Sequence, residues 1–169
     1  MERVEVAVMG GGQSGLAAAR ALRQHGMESV VLEVSEQPAG AWPRYYDSLT
    51  LFSPARYSSL PGLPFGGDPR RYPHRDEVVD YLLRYARRLD ARIRTGHRVD
   101  EVRSDGDGFL LTLADGSQLG AQAVVAATGG SGCPHRPALA SPGTWPPTWH
   151  VCSRRGGHGP ELLLRCVST

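Results

Sequence analysis

The chain has 169 residues, of which 40% are hydrophobic and 21% are charged, an ordinary globular composition that excludes a disordered or fibrous protein. Its apolar stretches are too short to span a bilayer, and its first residues lack the apolar core of a signal peptide, so we expect a cytoplasmic protein. Three cysteines without Cys-x-x-Cys spacing argue against a disulfide framework. The formal net charge of +2 does not by itself indicate nucleic-acid binding. We therefore expect neither a nucleic acid nor a membrane as a partner.

The composition changes near residue 141. Residues 1–140 carry 16 Arg against 16 acidic residues, whereas residues 141–169 carry three Arg against one Glu and show no hydrophobic period. We predict a folded domain at residues 1–140 and an irregular tail at residues 141–169, consistent with a frameshift or truncation near residue 141. The spacing of the His and Cys residues in the tail matches no recognised zinc site, so no metal is expected there; they are His150, Cys152, His158 and Cys166.

The start of the chain predicts a strand–helix–strand unit. Residues 4–9 are short, β-branched and bounded by glycines, which is typical of a buried strand. After a glycine turn, residues 14–25 repeat apolar side chains at helical spacing, with Gly26 as a left-handed stop. Residues 29–33 predict a second strand. Such a βαβ unit has parallel strands and a right-handed crossover.

The remainder alternates between irregular and regular segments. Residues 34–73 contain seven prolines and four glycines and show no period, which in a compact domain usually indicates a functional loop or irregular helical turns. An amphipathic helix follows, in which we expect Asp80 to pair with Arg84. Its predicted apolar stripe consists of Val78, Val79, Leu82, Leu83, Ala86 and Leu89.

A third strand at residues 92–94 and a β-meander complete the predicted α/β fold. The meander strands are predicted at residues 97–103, 108–114 and 119–128, separated by Asp- and Gly-rich turns. Residues 123–127 are apolar on both faces, which places them in the central parallel sheet.

The segment from Gly10 to Gly15, which reads Gly-Gly-Gly-Gln-Ser-Gly, carries the strongest functional signal. Gly10 permits a tight turn, Gly12 lets the backbone approach a pyrophosphate, and Gly15 lets the helix pack closely on the strand. The phosphates would bind at free N–H groups and the positive end of the helix dipole. Glu33 lies 18 residues beyond Gly15, where an acid accepts hydrogen bonds from ribose hydroxyls and repels a 2′-phosphate. The site is therefore expected to prefer FAD or NAD to NADP.

The chain resembles the two-dinucleotide-binding flavoproteins, and more narrowly the flavin-containing-monooxygenase-like (class B) family near its YUCCA-like branch. The resemblance covers about the first 140 residues and implies a Rossmann-like three-layer FAD-binding domain, incomplete at its C-terminus, with a parallel central sheet and a β-meander. The matching positions are residues 10–15, Glu33, residues 40–42, residues 49–65, residues 72–83, Val99 and residues 127–130.

The resemblance also implies roles for individual residues. Glu33 would bind the adenosine ribose and the backbone of Val99 the adenine. The FAD pyrophosphate would lie at Gly10, Gly12, Gln13, Ser14 and Gly15. Gly40 and Trp42 would line the flavin, and Thr128 with Gly129 would close over the dinucleotide. His74 stands where the family has a small hydroxyl residue at a helix start, so we expect a weaker N-cap there.

In the resembling family, NADPH reduces FAD and one oxygen atom is transferred to a substrate. Such enzymes have a second glycine-rich unit for NADPH and a later segment that completes the FAD domain, and neither is found in this sequence. The sequence singles out no catalytic side chain and no particular small-molecule substrate. Two alternatives stay open beside the FAD-dependent oxidoreductase: a catalytically silent dinucleotide-binding fragment or pseudogene product, and an NAD-dependent dehydrogenase domain.

Overall fold

The computed structural model describes residues 1–130, of which Met1–Gly129 form one compact unit. The predicted irregular tail, with its frameshift hypothesis and its His and Cys residues, lies outside the described residues. Within residues 1–130 no helix is both long and apolar enough to cross a membrane. In the same range, His, Cys, Asp and Glu side chains do not gather in groups of three or more that could hold a metal ion.

The strand–helix–strand unit at the start of the chain forms as predicted. It consists of β1 (Glu2–Met9), α1 (Gln13–Gln24) and β2 (Ser29–Leu32), and β1 runs parallel to β2. β1 begins two residues earlier than predicted because its first residues already pair with a later strand. Gly26, just beyond the end of α1, has φ +75°, in agreement with the predicted left-handed stop.

The long segment after β2 is irregular, as predicted, but it folds back on itself. It contains two 3-10 turns, Trp42–Arg44 and Ala55–Tyr57. The Leu51 N–H donates to the Pro73 carbonyl oxygen at 2.8 Å, which pairs the early part of the segment with its last residues. The segment is thus held by its own backbone hydrogen bonds.

Helix α2 (Arg75–Arg88) buries most of the predicted stripe, including Leu89 just beyond its end, together with two tyrosines that the prediction left out. Its buried side chains are Val78, Tyr81, Leu82, Tyr85 and Ala86. Val79 and Leu83, which we expected in the stripe, are only partly buried. The predicted ion pair between Asp80 and Arg84 does not form between these two described side chains, and the Arg84 guanidinium instead lies over the Tyr81 ring, 5.9 Å from its centroid.

The start of α2 is better capped than the sequence indicates. His74 supplies no small hydroxyl, but its backbone N–H donates to Glu77 Oε2 at 2.9 Å. A carboxylate three residues into a helix that binds the N-cap N–H forms one half of a capping box. The His74 side chain itself makes no capping hydrogen bond, as expected, and Glu77 supplies the other half of the capping box.

The remaining strands complete a single six-stranded sheet. They are β3 (Arg92–Arg94), β4 (Val99–Asp105), β5 (Gly108–Leu113) and β6 (Gln118–Ala126). The strand order is β3-β2-β1-β6-β5-β4. Because β6 runs parallel to β1 and antiparallel to β5, it joins the parallel strands to the meander. The predicted place of residues 123–127 in the parallel sheet is confirmed.

Successive side chains of β1 and β2 point to opposite faces of the sheet and belong to two different hydrophobic clusters. On one face, Val6, Val8 and Val31 pack with side chains of α1 and α2. On the other face, the cluster combines strand residues with the meander: Ala7, Val30, Leu32, Leu111, Leu113, Leu119 and Ala121. Helices, parallel strands and meander thus form the three layers of a Rossmann-like α/β fold.

Candidate functional site

The carboxyl ends of the four parallel strands coincide in register. Their last paired residues are Met9, Leu32, Arg94 and Ala126. Just beyond this row, the Gly10 N–H donates to the Leu32 carbonyl oxygen at 2.8 Å, and the Ala127 N–H donates to the Met9 carbonyl oxygen at 2.9 Å. Ligands of parallel α/β proteins bind outside this edge of the sheet.

Two glycines of the Gly10–Gly15 segment are required by the fold itself. Gly10 has φ +107°, and a Cβ built on it would lie 2.4 Å from the Ala127 carbonyl oxygen. A Cβ on Gly15 would lie 1.8 Å from the Gly10 carbonyl oxygen. The tight turn at Gly10 and the close approach of helix to strand at Gly15 are therefore as the sequence predicted.

Gly12 is different, because the protein around it has room for a Cβ. A Cβ there would have the Gly40 Cα, at 3.5 Å, as its nearest neighbour, which is an ordinary contact. Gly12 is the N-cap of α1, with φ −79° and ψ −174°, and the first turn of the helix has no acidic residue. The N–H groups of this first turn have no acceptor within the helix, so the N-terminus of α1 carries a partial positive charge. Gln13 and Ser14 of the same turn are exposed.

Glu33 is held beside the glycine turn by several hydrogen bonds. The residue is 2% exposed, and its Oε2 accepts from the Gly11 N–H at 2.5 Å. Its Oε1 accepts from both the backbone N–H, at 2.9 Å, and the hydroxyl of Ser35. The Glu33 N–H donates to the Arg94 carbonyl oxygen, and the Glu33 carbonyl accepts from the His97 N–H, each at 2.9 Å. The structure thus brings the predicted carboxylate and glycine turn together.

Gly40 packs directly on the glycine turn. It has φ +58°, and a Cβ on it would lie 2.9 Å from the Gly12 Cα, so two backbones approach closely at this point. The preceding Ala39 is fully buried. Trp42 is partly buried against the cluster on the helix face and meets the Tyr45 ring edge to face, with centroids 5.4 Å apart. The lining of a flavin by Gly40 and Trp42 stays a prediction.

Thr128 and Gly129 follow the carboxyl end of β6 at the same edge of the sheet. The Thr128 Cα is 3.4 Å from the place of a Cβ on Gly10, and Gly129 is exposed with φ +72°. Val99 begins β4 two residues after His97, whose N–H binds the Glu33 carbonyl. Val99 is thus connected to Glu33 only through the nearby His97 and pairs with Leu113 of β5, whereas Thr128 lies beside the turn at Gly10.

Ser35 is a site residue that the sequence reasoning missed. Both its N–H and its hydroxyl bind the Glu33 carboxylate, yet no motif singles it out. One signal could have identified it. A carboxylate that is buried at the dinucleotide site needs hydrogen-bond donors, and Ser35 is a small hydroxyl residue only two positions after Glu33.

Comparison with known proteins places these features in a family. Residues 7–148 match the family described as pyridine nucleotide-disulphide oxidoreductase. The chain is 36% identical over 137 residues to an uncharacterised CzcO-like oxidoreductase of Geobacillus kaustophilus, and 38% identical over 133 residues to indole-3-pyruvate monooxygenase YUCCA1 of Oryza sativa subsp. japonica. These matches cover 81% and 77% of this chain, but 39% and 33% of the relatives.

A solved structure gives the same result. The flavin-containing monooxygenase from Stenotrophomonas maltophilia superposes with a TM-score of 0.72 at 41% sequence identity, over 76% of this chain and 39% of that one. This neighbour confirms the Rossmann-like fold and the resemblance to flavin monooxygenases, and the chain spans about two fifths of its length. Because the family match extends over most of its residues, the chain belongs to the pyridine nucleotide-disulphide oxidoreductase family.

Proposed function

We propose that residues 1–130 form the FAD-binding part of a flavin-dependent oxidoreductase of the monooxygenase type. The observation that carries the proposal is the contrast between Gly12 and its neighbours Gly10 and Gly15. A side chain at Gly10 or Gly15 would collide with backbone, whereas Gly12 has room within the protein. The fold does not require a glycine at this uncapped helix N-terminus. A bound diphosphate explains it, because the absence of a side chain lets the phosphates come close to the protein backbone.

The residues around this opening fit a dinucleotide. The diphosphate would bind the free N–H groups of the first turn of α1, at Gly12, Gln13, Ser14 and Gly15. The Glu33 carboxylate, held beside Gly11, would accept from the ribose of the adenosine and disfavour a 2′-phosphate at the same place. The adenine would lie against the Val99 backbone. Gly40, Trp42, Thr128 and Gly129 would surround the other end of the cofactor.

Bound FAD supplies the redox chemistry, while the protein binds and orients it and excludes water. The rice relative is an indole-3-pyruvate monooxygenase and the Stenotrophomonas neighbour is a flavin-containing monooxygenase. By analogy with them, we propose that the complete protein uses NADPH to transfer one oxygen atom to a small organic substrate.

The proposal is tested by FAD binding to the wild-type chain and to Gly12→Val. Valine favours the extended backbone that Gly12 adopts, so the variant should fold, while its side chain fills the space meant for the diphosphate. We expect the dissociation constant for FAD to rise at least about tenfold, a loss of ~1.4 kcal/mol or more. Titration calorimetry with FAD and with ADP measures this effect, and circular dichroism checks the fold.

The matched control is Ala21→Val, which adds bulk at an exposed position of the same helix. It should leave FAD affinity unchanged. Equal affinity of the wild type and Gly12→Val for FAD would contradict the assignment of the site, and tighter binding of NAD than of FAD would favour a dehydrogenase instead.

A further inference from the structure

The two carboxylate oxygens of Glu33 differ in how many further hydrogen bonds they can accept. Each carboxylate oxygen has two lone pairs. Oε1 already accepts two hydrogen bonds, from the N–H and the hydroxyl of Ser35. Oε2 accepts one from the described residues, from the Gly11 N–H. A ribose diol that places one hydroxyl on each oxygen therefore requires one donor to leave Oε1.

The Ser35 hydroxyl has a second acceptor within reach. Its Oγ is 3.0 Å from the Gln37 carbonyl oxygen. That carbonyl accepts the Ala39 N–H at 2.9 Å, and a carbonyl oxygen has two lone pairs. The hydroxyl has one proton, which can point either to Glu33 or to Gln37 without movement of the oxygen. The Ser35 N–H cannot leave in this way, because it belongs to the backbone.

The unliganded protein favours the bond to Glu33. A hydrogen bond to an ionised acceptor is roughly twice as strong as one to a neutral carbonyl, and a buried carboxylate with too few donors is costly. When another hydroxyl donates to the carboxylate, that advantage disappears and the Gln37 carbonyl becomes the better acceptor for Ser35.

We infer that Ser35 is a positioning residue whose hydroxyl donates to Glu33 in the free protein and to the Gln37 carbonyl once a ribose hydroxyl of the bound nucleotide has replaced it. This inference rests on the proposed function. It also connects the two ends of the site, because the segment with Gln37 leads through Ala39 to Gly40, which packs on Gly12. Binding of the ribose adds a hydrogen bond to the segment that contacts the diphosphate turn.

The variant Ser35→Ala tests the inference through the sign of its effect. It loses the stronger bond in the free protein and the weaker one in the complex, so ADP should bind about fivefold more tightly than to the wild type. The free variant should also unfold at a lower temperature, and this deficit should shrink when ADP is saturating. Ser35→Thr keeps the hydroxyl and should match the wild type in both measurements. A residue that simply holds Glu33 in place gives the opposite sign, with weaker binding in Ser35→Ala.

Two further comparisons identify the hydroxyl and the carboxylate. With 2′-deoxy-ADP or 3′-deoxy-ADP, whichever lacks the displacing hydroxyl, Ser35→Ala should show no tightening. In a Glu33→Gln background, Ser35→Ala should have no effect on ADP affinity. If the wild type binds ADP and Ser35→Ala binds equally or more weakly, the inference about Ser35 is overturned while the proposed function stands. If the wild type binds neither ADP nor FAD, both are overturned.

Discussion

The Glu77 side chain stabilises the start of α2 through two charge-assisted contacts. It accepts the His74 N–H at 2.9 Å and forms an ion pair with Arg71. The backbone hydrogen bond from His74 is the main reason why the pKa of Glu77 lies below its ordinary value of 4.5, and Arg71 lowers it further while partial burial opposes them. The ionised carboxylate is therefore the form that the folded protein favours.

The pH dependence of stability should report this carboxylate. Because its folded pKa is below 4.5, its contribution is present above pH 4.5 and is lost as the pH falls through the folded pKa. Glu77→Gln keeps an oxygen that can accept the His74 N–H but removes the charge, so it should reduce the free energy of unfolding at pH 7 by roughly 0.5 kcal/mol, and the difference from wild type should shrink below about pH 4. Urea unfolding at several pH values measures it, with the exposed Glu36→Gln as control. A difference independent of pH would exclude this role of Glu77.

Helix α2 is joined to residues 60–65 by two tyrosine hydroxyls. The Tyr81 hydroxyl accepts the Leu60 N–H at 2.6 Å and donates to the Leu63 carbonyl oxygen at 2.7 Å. The Tyr85 hydroxyl donates to the Pro61 carbonyl oxygen at 2.9 Å, and burial raises its pKa. The side chains that the predicted stripe left out thus attach the irregular segment to the helix.

Removal of the Tyr81 hydroxyl should cost more than removal of the Tyr85 hydroxyl. Tyr81→Phe leaves one backbone N–H and one carbonyl without their partner in a buried place, at a cost of about 1–3 kcal/mol. Tyr85→Phe leaves a single carbonyl and should cost less. Urea unfolding of both variants decides this, with Tyr57→Phe, at a side chain 71% exposed, as the control that should change nothing. Equal losses at the two buried positions would contradict the double role of Tyr81.

The elements that the sequence predicts correctly are consecutive in the chain or neighbours in the sheet. β1, the turn at Gly10, α1 and β2 follow one another directly, and the register then places Glu33 beside Gly11. The contact of Gly40 with Gly12 depends instead on the path of an irregular segment, which no period describes. The burial of Tyr81 and Tyr85 has the same cause, since their hydroxyl partners come from residues about 20 positions away in the chain. Without knowledge of those partners, the polar hydroxyl of a helical tyrosine favours the prediction of an exposed side chain.

At the scale of the whole described unit, one layer of strands serves both hydrophobic clusters. Val8 and Val31 face the helices, while Ala7 and Val30 of the same strands face the meander. If the packing on one face of the sheet were lost, the strands that also support the packing on the other face would become exposed. Because β6 also pairs with both β1 and β5, the meander is continuous with the parallel sheet, and we expect residues 1–129 to unfold as one cooperative unit.

Equivalent substitutions in the two clusters should therefore shift the same transition. Leu82 of the helix-side cluster is 1% exposed and Leu111 of the meander-side cluster is fully buried. Leu82→Val and Leu111→Val each remove one buried methylene, which should cost about 1 kcal/mol. Circular dichroism and tryptophan fluorescence, the latter measured with Trp145 and Trp149 replaced by Phe in every chain so that Trp42 alone reports, should give coincident curves for both variants, with Val102→Ala at the exposed edge strand as control. If Leu111→Val shifted the transition seen by circular dichroism while the fluorescence of Trp42 stayed unchanged, the meander would be a separate folding unit, and the layer shared by β1 and β2 would not couple the two faces.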